Sequence, residues 1–83
     1  MVYGEYMSVA EFPGKKPQAY IISKYEEIKG HLARVRDILY KVEELLEEVD
    51  APKTKAEVEK VRRAVMELIG KVDNAIEWMK MHR

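Results

Sequence analysis

The stretch Leu46-Glu47-Glu48-Val49-Asp50-Ala51-Pro52-Lys53-Thr54-Lys55-Ala56-Glu57-Val58 decides the fold. Asp50-Ala51-Pro52-Lys53 breaks a long heptad pattern, because proline lacks an amide hydrogen and its ring clashes with the preceding helical turn. Thr54-Lys55-Ala56-Glu57 then fits a capping box, in which the threonine and glutamate side chains each satisfy a free amide of the first turn. The spacing therefore predicts a stop and a restart, with a loop centred between Lys53 and Thr54.

Upstream of the break, apolar residues recur at alternating intervals of three and four: Tyr25, Ile28, Leu32, Val35, Leu39, Val42, Leu46, Val49. Ser23-Lys24-Tyr25-Glu26 supplies another capping box at the head of this series. Downstream, Val58, Val61, Val65, Leu68, Val72, Ala75 and Met79 keep the same beat. These patterns predict an all-α fold, with helix 1 over about 23–50 and helix 2 over about 54–82, each near 40 Å long at 1.5 Å per residue. Antiparallel heptad helices set a positions against d positions, so facing residue numbers should share one total. Val49 with Val58, Leu46 with Val61, Val42 with Val65 and Leu39 with Leu68 all total 107. Register and loop agree on a helical hairpin.

Residues 1–22 read differently. Tyr3, Tyr6, Phe12 and Tyr20 are interrupted by Gly4, Pro13, Gly14 and Pro17, and Phe12-Pro13-Gly14-Lys15 has the chemistry of a type II turn. This segment is expected to be an extended or irregular arm, or a β-hairpin, leaning on the helices or on a neighbour.

The apolar stripe is wider than a two-stranded seam requires. Helix 1 adds Ile38 and Leu45 on one flank, while helix 2 adds Ile69, Ile76 and Trp78. Three apolar positions in seven belong to a bundle helix. These five residues are the expected oligomer interface, and a pair of hairpins closing a four-helix bundle would cover them. They lie on opposite flanks in the seam just described, so the N-terminal arm is expected to cover one flank.

Composition narrows the function classes. With no cysteine, thiolate metal sites and cysteine nucleophiles are excluded. Charged residues reach 36%, while Asn74 and Gln18 are the sole side-chain amides, a balance found in thermophilic proteins. Fifteen basic and fifteen acidic residues cancel, which argues against a dedicated nucleic-acid binder. No apolar run approaches the roughly 20 residues that span a bilayer, and the N-terminus lacks a signal-peptide pattern, so a cytoplasmic protein is expected.

Three clusters invite chemistry. The run Glu43-Glu44-Leu45-Leu46-Glu47-Glu48 resembles the clustered carboxylates of helical nucleotide pyrophosphohydrolases, and that resemblance implies a magnesium-dependent nucleotide hydrolase. Magnesium needs carboxylates converging on one point. In this register all four glutamates fall at outer positions, and Glu67 and Asp73 are not spaced to complete the family's pattern, so a solvated charged face is expected instead. Glu27 and His31, four apart, have the spacing of half a divalent metal site; an interface histidine packed against Trp78 is the plainer expectation. Lys53, Lys55, Lys60, Arg62 and Arg63 form a basic patch that would contact phosphates in a nucleic-acid-associated regulator. The same patch lies across from Glu43 to Asp50, and mutual neutralisation within the hairpin is preferred. Gly30 and Gly70, both at the outermost heptad position, mark a height where another backbone would cross. No catalytic residue, cofactor or metal is expected. The sequence points to a small homo-oligomeric helical bundle, a dimer by preference, with a structural or adaptor role towards an unidentified protein partner.

Overall fold

The computed structural model describes residues 17–82, and they form two helices, α1 (Gln18–Glu48) and α2 (Pro52–Met81), packed antiparallel. No strand occurs among the described residues. The turn expected at Phe12–Lys15 and most of the arm lie outside them.

Both helices start earlier than their capping boxes. Pro17, held at φ −58° and ψ 143°, is the N-cap of α1, and its carbonyl accepts the Ile21 amide at 3.1 Å. Ser23 is exposed inside the second turn and caps nothing. The heptad explains the extension. Lettering Tyr25 as a makes Gln18 a, Ile21 d and Ile22 e, and both isoleucines are buried against Val72, Ile76 and Met79. Burial of two more apolar side chains outweighs an unused serine cap. Gln18 Nε2 also donates to the Met79 carbonyl at 2.7 Å, tying the open end together. Residues 18–22 are therefore helix rather than arm.

At the other end, Ala51 is the N-cap of α2 and Pro52 occupies its first turn. Proline suits that position, since its missing amide would have had no partner there. Thr54 consequently sits inside the helix, and the loop shrinks to Val49, Asp50 and Ala51, three residues nearer the N-terminus than the register implied. The Asp50 amide donates to the Glu47 carbonyl at 3.1 Å and the Ala51 amide to Leu46 at 3.0 Å. These bonds form a Schellman motif, which needs a left-handed residue at its centre. Asp50 takes that role at φ 57°. Glycine fits this conformation without the Cβ penalty, so Asp50→Gly should raise stability by about 0.5–1 kcal/mol in a chemical denaturation series.

The larger correction concerns which faces meet. Every a and e position of the two helices, from Gln18 to Met79, is buried or half-buried. Most d positions are not. Ile28, Val35, Val61 and Leu68, assigned to the seam, are 41–53% exposed, and Val49, just past α1, is 70% exposed. The helices have thus rolled so that a and e line their contact. In an antiparallel pair such a roll puts the d and g positions of both helices on one side and the b positions of both on the other. Ile76, an e residue expected at the oligomer interface, is 4% exposed and belongs to the intrachain core instead. Ile69 and Trp78 are half-buried. Only Ile38 and Leu45, both g, stand fully on the surface.

Candidate functional site: a hairpin with two unlike faces

The b/e side gathers the ion pairs that bridge the helices. Lys29 Nζ meets Asp73 Oδ1 at 2.6 Å, Lys80 Nζ meets Glu26 Oε2 at 3.3 Å, and Lys55 pairs with Glu47. That last contact holds the Glu47 carboxyl below the usual carboxylate range and raises the Lys55 amine, in both cases chiefly through the hydrogen bond between them. It also places a cation beside the acidic C-terminal turn of α1, where the helix dipole disfavours glutamate.

Arg62 organises the middle of this side. Its Nε donates to Glu43 Oε2 at 2.5 Å and its Nη2 reaches Oε1 at 3.4 Å, a forked arrangement suited to a planar guanidinium and a carboxylate. The guanidinium lies 4.3 Å from the centre of the Tyr40 ring, donates to Tyr40 Oη at 3.2 Å and touches Met66 Sδ at 3.4 Å. Hydrogen bonding to Glu43 raises the guanidinium pKa further. The two charged side chains are 13% and 11% exposed, far more enclosed than the other pairs that link the helices. Both are e residues, and their numbers total 105, which is the e-to-e pairing that the predicted 107 register requires.

The expected acidic and basic clusters come apart under this geometry. Glu43 is buried rather than outward-facing, because an e position points at the other helix once a and e form the contact. Glu44 pairs with Lys41 at 3.7 Å and Glu47 turns to Lys55, so the run does not converge. No group of three histidine, aspartate or glutamate side chains is arranged to hold a metal ion among the described residues. Glu27 pairs with Lys24 at 3.5 Å. His31 is exposed, and Trp78 stacks on His82 instead, with ring centres 4.4 Å apart. Of the basic patch, Lys55 pairs with Glu47, Lys60 with Glu57, Arg62 with Glu43 and Arg63 with Glu59. A Cβ at Gly30 or Gly70 would meet nothing within 4 Å, so no described backbone crosses there.

No protein-family model, curated protein or solved structure matches this chain.

The opposite side of the hairpin gathers exposed aliphatic side chains, interrupted at g positions by Lys24, His31, Glu57 and Lys71. Ile28, Val35, Ile38, Leu45 and Val49 form a stripe along α1 into the turn, and Val61 and Leu68 run beside it on α2. The α1 stripe covers about 32 Å at 1.5 Å per residue. None of the ion pairs between α1 and α2 lies on this side. Beneath it, Leu39, Leu46, Val58 and Val65 are half-buried, whereas the fully buried residues Ala75 and Met79 sit at the open end. No described helix is long and apolar enough to cross a membrane.

Proposed function

We propose that this chain is a subunit of a homo-oligomeric helical bundle, and that its role is structural or adaptor-like, holding an assembly together rather than carrying out chemistry. The single observation behind this reading is the segregation of the hairpin into an ion-paired side and an aliphatic side. Seven aliphatic side chains, each 41–70% exposed, line the second side. Completing the burial of a half-exposed valine, leucine or isoleucine contributes roughly 1 kcal/mol, so leaving all seven in water forgoes a large part of the stability of a small domain. A hairpin this short has few other sources of stability, and association is the common remedy. Multi-angle light scattering on the purified protein tests the reading: twice 9.7 kDa or a higher whole multiple is expected across micromolar concentrations. A mass of 9.7 kDa at 100 µM, with full helicity, would remove it.

A further inference from the structure

Resting on that reading, we infer that the occupant of the aliphatic side is one second copy of this chain, lying with its turn at the same end, so that α1 packs on the partner's α2 and the reverse. The exposed aliphatic side chains amount to roughly 500 Å², near the upper end of what single-subunit proteins leave in one patch. That is most of the about 800 Å² that each partner of a standard interface contributes. A chain with zero net charge meets no long-range repulsion from its own copy.

Two symmetric arrangements bring this side onto itself. With turns at the same end, the two-fold axis runs along the helices, and α1 faces the partner's α2 at a height the hairpin already fixes. Its own cross-helix contacts between side chains join residues whose numbers total between 102, for Lys29 and Asp73, and 106, for Tyr40 and Met66. The d and g positions of α1 then meet the g and d positions of the partner's α2 at a total of 106. Ile38 faces the partner's Leu68, Leu45 the partner's Val61, Val42 the partner's Ala64 and Ile28 the partner's Trp78. With turns at opposite ends, α1 would lie on the partner's α1.

The rim charges choose between them. Glu27, Arg34, Lys41, Glu48, Lys60 and Glu67 all occupy exposed c positions bordering the aliphatic side. In the same-end arrangement the c positions nearest in height total 108, so Glu48 comes beside the partner's Lys60 and Lys41 beside the partner's Glu67, while Arg34 faces the neutral Asn74 of the partner subunit. In the opposite-end arrangement Arg34 meets the partner's Lys41 and Glu48 meets the partner's Glu27. Like charges oppose association and fix which register survives.

Because the chain has no native cysteine, introduced pairs report the arrangement directly. Ile38→Cys/Leu68→Cys and, as a second pair in case the first perturbs folding, Leu45→Cys/Val61→Cys are oxidised with copper phenanthroline and run on a non-reducing gel. Both should give mostly covalent dimer, with helicity unchanged and the single-cysteine variants staying largely uncross-linked. Val35→Cys/Ile38→Cys, the pair suited to α1 on α1, should cross-link at least tenfold more slowly. Dimeric mass with the preference reversed would overturn the arrangement while leaving the assembly reading intact. Monomeric mass from light scattering would overturn both.

Discussion

Met79→Ala should lower the unfolding free energy by about 2–5 kcal/mol, the largest loss expected from any truncation in the hairpin. Met79 has 0% exposure and lies in the buried cluster of the described residues, with Ile21, Ile22, Val72 and Ile76 around it and Tyr25, Leu32 and Trp78 against their edges. Truncation removes the transfer free energy of three heavy atoms and opens a cavity that two packed helices can only partly collapse. The Met79 carbonyl also receives the Gln18 side-chain amide, so slippage of this residue would loosen the first turn of α1 as well. Val61→Ala is the proper comparison, since Val61 is 53% exposed and stands in the half of the hairpin nearer the turn. In dilute solution it should cost well under half as much. Urea denaturation followed by circular dichroism separates the two, and equal losses would mean that the closed region at the open end is not where the stability resides.

This contrast between ends was only partly legible in the sequence. The heptad beat, the proline break and the constant total of 107 gave two antiparallel helices, because backbone period and turn chemistry are local properties that a sequence displays openly. The roll of each helix about its own axis is different. A stripe that fills a, d, e and g can be halved along either edge, and the choice depends on which flank offers the better partners. Here Glu43 and Arg62 occupy facing e positions and draw the contact to that side, with Tyr40 and Met66 closing over the guanidinium. The pairing arithmetic that found Leu39 against Leu68 would have found Glu43 against Arg62, had it been applied to charged residues as well as apolar ones. The capping boxes misled for a related reason: Ser23 and Thr54 are competent caps, but extra burial at Ile21 and Ile22 and the fit of Pro52 to a first turn outweigh them.

The same roll makes the aliphatic side testable by a single charge. Ile38→Asp should raise the dissociation constant of the assembly by at least about a thousandfold, since roughly 4 kcal/mol corresponds to that factor and a symmetric dimer would have to bury two carboxylates without partners. Aspartate is the informative choice because its short side chain cannot reach past the rim to water as lysine would. Within one hairpin the substitution is mild: Ile38 is 61% exposed and touches neither the closed core nor the Arg62 network, so the cost there is confined to a few tenths of a kcal/mol of helix propensity. Association linked to folding also makes the melting temperature of the parent rise with protein concentration. The variant should melt lower and lose that dependence. If it instead melts like the parent, with a concentration-independent midpoint for both, the aliphatic side is solvent-facing in the working protein and the bundle has been built on the wrong surface.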